Sequence, residues 1–274
     1  MIHPTAIIHP KAKIDSTAEI GPYVVIDEHV ELGPGCKVGP HAYLTGHTTI
    51  GANNIIHAGA VIGGVPQDLK YRGAPSRLRI GTGNTFREQV TVHTANDLEE
   101  DTVIGNGSLF MANVHIAHNV VIGNSVILAN GVLLAGHVHL DDFAFLSGHC
   151  LVHQFTRVGK LSMMQGGSRV SKDIPPFTIV RNTNIICGLN VVGLRRHGFT
   201  TEQRLELRKL YHALFLSRRK MQEALADART TFTSEPSRIM IDFIAATKRG
   251  ICADHNANRA TAGDGEDEEN EGLE

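Results

Sequence analysis

Large aliphatic side chains recur every six residues along most of this chain of 274 residues, a period that matches neither an amphipathic helix nor an ordinary strand. Ile2, Ile8, Ile14, Ile20, Ile26, Leu32, Val38, Leu44, Ile50, Ile56 and Ile62 keep the step without a miss. Ile104, Phe110, Ile116, Ile122, Leu128, Leu134, Leu140, Leu146, Val152, Val158, Met164 and Val170 take it up again. At about one chance in three per position, either run is on the order of a one-in-a-hundred-thousand event. Two positions before each aliphatic sits a small or β-branched residue, such as Ala18, Val24, Cys36 and Thr48, so the two share one face of a short strand. Gly21, Gly33, Gly39, Gly51 and Gly123 follow the aliphatic directly, where a turn begins. Three hexads close a triangular coil, and coils stack at about 4.8 Å through parallel strands. The expected fold is an all-β solenoid, a parallel β-helix filled by aliphatic ladders. Such a prism accounts for a core built with no Trp and only 5% aromatic residues.

The phase also marks the boundaries. Ile80, Phe86 and Val92 stay in step, whereas Asp68 and Ala74 break it, which predicts an extruded loop over residues 63–79. A second, acidic excursion, HTANDLEED, covers 93–101, and the solenoid is expected to occupy residues 1–195. From Thr200 the spacing of Leu205, Leu210, Leu214, Met221 and Leu225 is helical, with Thr200 or Thr201 as N-cap. Ser234-Glu235-Pro236 starts another helix, and Gly250 after Lys248 and Arg249 reads as a stop. Residues 196–252 are therefore expected to form a small α-helical domain of two or three helices on the end of the prism. Residues 253–274 carry eight acidic side chains against one Arg and are expected to be a disordered tail. The remainder, with 25 basic and 20 acidic residues, is mildly basic.

No window approaches a membrane span, and the N-terminus has no apolar signal-peptide core, so a cytoplasmic address is expected, with no transmembrane segment. Nothing calls for a nucleic-acid partner. Cys36, Cys150, Cys187 and Cys252 are scattered without a CxxC pair and are expected to be free thiols. Chemistry must come from side chains that break the bland outer face. His115 and His118 flank the inward Ile116, and His137, His139, His149 and His153 follow one or two coils later. One coil is eighteen residues, so Gly136 stacks on His118 and brings His137 beside it, giving an outer patch of imidazoles. A zinc site through His115 and His118 stays open on these residues, although spacing fixes no third ligand.

The blocks VPQDLKYRGAPSRLRIG, HIAHNVVIGN, LAGHV, VHQFTRVG and GLNVVGLRRHGFT, in this order, resemble the acyl-carrier-protein:UDP-N-acetylglucosamine O-acyltransferases of lipid A biosynthesis, within the hexapeptide-repeat acyltransferase superfamily. The likeness covers residues 1 to about 250 and implies a left-handed coil, an exception to the usual right-handed crossover. It implies transfer of a (3-hydroxy)acyl chain from an acyl carrier protein thioester to the glucosamine 3-position of UDP-N-acetylglucosamine, by a homotrimer with no cofactor and no metal. His118 matches the general base, a task suited to imidazole. His115 and His137 match residues lining the sugar-nucleotide and acyl site. Gln67, Asp68 and Lys70 match a loop supplied by a neighbouring subunit. His153 and Gln154 match further substrate contacts, and Asn190 and Arg196 match positions near the uridine and phosphates. Gly166, with Gly167, falls where acyl length is measured. Arg204, Arg208, Lys209, Arg218, Arg219 and Lys220 are candidates to receive the acidic carrier protein.

Two positions depart from the family pattern. Asn119 replaces the usual Asp after the histidine, and His197 replaces a basic residue after Arg196. Asn can orient an imidazole but cannot stabilise imidazolium by charge, so the protonated base is expected to lack a nearby anion. The related N-acyltransferase, an acetyl-CoA-dependent acetyltransferase, and a non-catalytic or zinc-binding β-helix remain as alternative readings.

Overall fold

The computed structural model describes residues 1–254. Short strands, parallel except for the antiparallel pair Thr178–Arg181 with Ile185–Leu189, build three sheets of nine, eight and eleven strands, here faces A, B and C. The chain visits the faces in rotation. Ile7–Ile8 lies on A, Lys13–Ile14 on B and Glu19–Ile20 on C, and each strand pairs with the one a coil later, as Ile7 does with Val25. The inward aliphatics behave as the six-residue period predicts: Ile26, Leu44, Ile62, Ile116, Leu134 and Leu146 are all at most 1% exposed. Each such burial contributes about 1.5–3 kcal/mol. The small residues two positions earlier, Val24, Cys36 and Ala42 among them, are equally buried. Asn54 and Asn84 occupy that position as polar exceptions. Asn54 Nδ2 donates to Gly51 and Gly81 carbonyls at 2.8 and 2.9 Å, so its burial leaves no donor stranded.

The glycines after the aliphatics act differently from the turn role read from sequence. A Cβ on Gly33 would sit 2.8 Å from the Gly51 backbone, so close stacking of successive coils excludes a side chain there. The left-handed residue of the turn falls two positions later, as at Gly35, and is often not glycine, as at Tyr23 and Asn119.

Pairing of Val61–Gly64 and Arg77–Ile80 trims the first loop to 65–76, and strands Thr91–His93 and Thr102–Ile104 trim the second to 94–101. Asp101 pins the second loop to the strand beside the first, accepting from Arg77 Nε at 2.8 Å and from Arg79.

The helical region has four α-helices, one more than the upper expectation: α1 (Val191–Arg196), α2 (Thr201–Tyr211), α3 (Met221–Thr231) and α4 (Glu235–Ala245). Helix α1 starts ahead of the expected boundary at 195/196 because Asn190 caps it, accepting from Gly193 N at 2.9 Å. Thr200 caps α2 in a reciprocal box with Gln203, as its sequence signals. Leu205 keeps helical spacing yet is 52% exposed, while Leu207 and Leu210 face the core. Helix α4 ends at Ala245, before the Gly250 stop. The helices are locked to face B by Arg157, whose guanidinium reaches buried Asp173 at 3.0 Å and the Phe243 carbonyl at 2.8 Å. At the start of the expected 253–274 tail, Ala253–Asp254 forms a strand against Ile185–Leu189 and is therefore part of the fold. The rest of that segment, 255–274, lies outside the described residues. All four cysteines are free thiols.

Candidate active site

A cavity of about 1010 Å³ runs down face A and its edge toward face B. Its floor is the outward ladder His115, Leu133, Leu151 and Arg169, paired strand to strand, and Gln67, Asp68, Leu69 and Lys70 of the first loop wall one end. His118, His153 and Gln154 line it from the turn that follows each strand.

His118 is held from three sides. Its ring lies on Gly136, where an added Cβ would be 2.6 Å from Cε1 and Nε2. His137 meets it edge-on at 5.3 Å between ring centroids and is itself stacked on Phe155 at 4.5 Å. Behind it, Asn119 is 3% exposed and places Oδ1 2.9 Å from His118 Nδ1. The Asn96 backbone N–H donates to that same Oδ1 at 2.8 Å, which fixes the atom as the carbonyl oxygen. His118 Nδ1 must then carry the hydrogen, and the Nε2 lone pair faces the cavity.

Nε2 stands 3.7 Å from Asp68 Oδ2, too far for a hydrogen bond but close for an ion pair once the imidazole is protonated. This corrects two expectations. A protonated His118 does have a nearby anion, on the side away from Asn119. The loop bearing Gln67, Asp68 and Lys70 also folds over its own chain's His118, held there by Asn96 Nδ2 donating to Asp68 Oδ2 at 3.2 Å. Spacing could not reveal the Asp68 contact, because the loop falls out of the hexad phase.

The neighbouring imidazoles are biased to stay neutral. Burial, reinforced by His115 and His118, pushes His93 down to about 4, and its ring meets His115 edge-on at 5.0 Å. Burial also lowers His115 and His137, with His118 adding to the effect on His137. His115 Nδ1 lies 2.7 Å from the Thr91 hydroxyl. His93, Asn96, Phe155 and Arg169 were not among the sequence candidates. His93 and Phe155 obey no motif, and Asn96 acts through its backbone N–H on Asn119 and its carboxamide on Asp68, both set by the path of the loop.

The candidates fall into two groups in space. Gln67, Asp68, Lys70, His115, His118, His153 and Gln154 line one cavity, with His137 packed behind His118. Asn190 and Arg196 lie at the edge between faces B and C. There Asn190 Nδ2 donates to the Leu161 carbonyl at 2.9 Å, and His197 at the end of α1 packs on Phe143 at 4.8 Å. Gly166 sits at the third edge, between C and A, stacked over Gly148. Among the described residues, no group of three or more His, Cys, Asp or Glu is placed to hold a metal, and none supplies His115 and His118 with a third ligand.

The six-residue coils are those of a hexapeptide-repeat protein, and two segments, 29–64 and 101–136, match the family model described as bacterial transferase hexapeptide. Residues 173–252 match the model for domain 2 of the UDP-N-acetylglucosamine O-acyltransferases. An acyl-[acyl-carrier-protein]--UDP-N-acetylglucosamine O-acyltransferase of Myxococcus xanthus is 49% identical over 255 residues, covering 91% of this chain and 98% of that one. The enzyme of the same name from Janthinobacterium is 45% identical, covering 92% and 98%. The solved UDP-N-acetylglucosamine acyltransferase of Francisella novicida superposes with a TM-score of 0.90 at 37% identity, over 94% of this chain and 96% of that one. The chain belongs to the UDP-N-acetylglucosamine O-acyltransferase family.

Proposed function

We propose that this protein transfers an acyl chain from the thioester of an acyl carrier protein to the glucosamine 3-oxygen of UDP-N-acetylglucosamine, the opening step of lipid A biosynthesis. The observation that carries the reading is the His118 Nε2 lone pair, aimed into the cavity by the Nδ1–H to Asn119 bond. Nε2 takes the proton of the 3-hydroxyl as that oxygen attacks the thioester carbonyl. Asp68 stabilises the imidazolium so formed. When the tetrahedral intermediate collapses, the C–S bond breaks and the imidazolium returns the proton to the departing thiolate. The thioester is a co-substrate, and the reading assigns no cofactor and no metal.

The same reading includes a left-handed coil, a cytoplasmic location and a homotrimer. No helix among the described residues is long and apolar enough to cross a membrane. His118 and Arg196 sit on different edges of one prism, and a three-fold assembly lets the Asn190 and Arg196 edge of one subunit complete the cavity of the next, with the uridine and phosphates there. Gly166 and Gly167 leave room for the acyl chain at the third edge. The exposed Arg208, Lys209, Arg218, Arg219 and Lys220 suit an acidic carrier protein.

Incubation of the protein with UDP-N-acetylglucosamine and a 3-hydroxyacyl carrier protein, followed by mass and NMR analysis of the product, tests this. An ester at the 3-oxygen is expected; an amide at the 2-nitrogen, or acetyl transfer from coenzyme A alone, points to a sister activity.

A further inference from the structure

The two ends of the cavity differ in charge. Asp68, the one acid among the described residues that line it, sits at the His118 end with Lys70 beside it in the same loop, so that end carries charges of both signs. The opposite end is cationic. Arg169 closes the outward ladder, with its Nε donating to the Thr183 hydroxyl at 2.8 Å. Arg249 donates Nε to the Ser171 carbonyl at 3.0 Å and holds Nη2 3.4 Å from His153 Nδ1. Ser171, Thr183 and His153 all line the same cavity. Both guanidiniums are thus oriented by neutral partners, which leaves their charge to a ligand. Between the two ends the floor is apolar, with Leu133 and Leu151 each 43% exposed.

Distance selects the anion. Arg169 lies three coils beyond His115 through the pairs His115 with Leu133, Leu133 with Leu151 and Leu151 with Arg169. At roughly 4.8 Å per coil this is about 14 Å. An acceptor sugar with its 3-hydroxyl at His118 keeps its diphosphate within a few bonds of that end. The carrier protein's phosphopantetheine arm has about 13 bonds between sulfur and phosphorus and spans about 16 Å extended, at ~3.6 Å per three bonds. We propose that Arg169, backed by Arg249, forms a phosphate subsite that takes the phosphodiester of this arm while its amides and methyl groups cross Leu133 and Leu151. The assignment rests on the acyl-transfer reading and adds the path of the donor.

Titration of the protein with free 4′-phosphopantetheine and with pantetheine reads the subsite without turnover. Wild type is expected to favour the phosphorylated form about tenfold, the scale of one charge-assisted contact. Arg169→Gln should abolish that preference with an unchanged melting temperature, and Arg249→Gln should weaken it. In steady state, Arg169→Gln should raise KM for the acyl carrier protein thioester about tenfold with kcat and the sugar-nucleotide KM unchanged. Equal binding of the two probes by wild type overturns the subsite. A rise in the sugar-nucleotide KM alone assigns the arginine to the acceptor's diphosphate and also overturns it. So does a change in preferred acyl length with the phosphate preference intact, which would put the acyl chain on the leucine floor. Absence of any transfer by wild type, with the phosphate preference present in the titration, sinks the acyl-transfer reading and supports the subsite.

Discussion

His118 Nδ1 lies 2.9 Å from Asn119 Oδ1, and the Asn96 backbone amide on the same oxygen leaves the imidazole only one tautomer. Asn119 thus supplies the orientation that a carboxylate would, without its charge, and the charge comes from Asp68 on the opposite side. Two variants separate these roles. Asn119→Ala should lower kcat/KM by about tenfold, the scale of one neutral hydrogen bond. Asn119→Asp adds an anion that favours imidazolium, so the rising limb of kcat/KM against pH should move up by as much as about one unit. Asp68→Asn should lower kcat, because the imidazolium formed during transfer loses the carboxylate 3.7 Å from Nε2. A limb unmoved by Asn119→Asp and a kcat unmoved by Asp68→Asn would mean that neither residue couples to the base.

Gly136 is the floor beneath the imidazole. Gly136→Ala should push the ring off Nε2 alignment and cut kcat by tenfold or more, because an added Cβ meets the ring at 2.6 Å. The melting temperature should fall little, since the ring borders the cavity and can move. Unchanged kcat with lost stability would make Gly136 a packing residue only.

Burial of neutral imidazoles makes acid stability a property of this site. His93, held down at about 4, favours the folded state fully above its unfolded value of about 6.5. That contribution is lost as pH falls toward 4, because the unfolded chain then binds the extra proton. Urea midpoints at pH 7 and pH 5 should therefore differ, with lower stability at pH 5, and His93→Phe should flatten the difference. An equal slope in both proteins contradicts the assignment.

Subunit mixing tests whether two prism edges make one site. His118→Ala and Arg196→Ala are each expected to be impaired alone. Co-refolded as mixed trimers, they should recover a measurable fraction of wild-type turnover, because some interfaces then pair an intact His118 with an intact Arg196. No recovery from verified mixed trimers would place both residues in one subunit's site.

The prism was legible because each hexad position has one job: Ile116 must point inward and His115 outward, so periodicity alone placed both. The His118 and His137 contact followed from counting eighteen residues per coil. What periodicity could not place lies outside the phase. Asp68 and Asn96 belong to excursions whose path is set by hydrogen bonds between the two loops, not by an aliphatic ladder. Asn190 has a local task that its place in the resemblance did not show: its carboxamide caps α1 and holds the Leu161 carbonyl. Helix α3 was missed as a separate element because Leu214, Met221 and Leu225 keep helical spacing through the break at Ser217–Lys220.

The central claim is that His118 carries the proton in acyl transfer, and single-turnover transfer from 3-hydroxyacyl carrier protein to UDP-N-acetylglucosamine by wild type and His118→Ala tests it most directly. General-base catalysis contributes about 10² to 10⁴, so the variant should lose at least about a hundredfold in rate while melting as wild type does. A His118→Ala rate within a few-fold of wild type would contradict the mechanism.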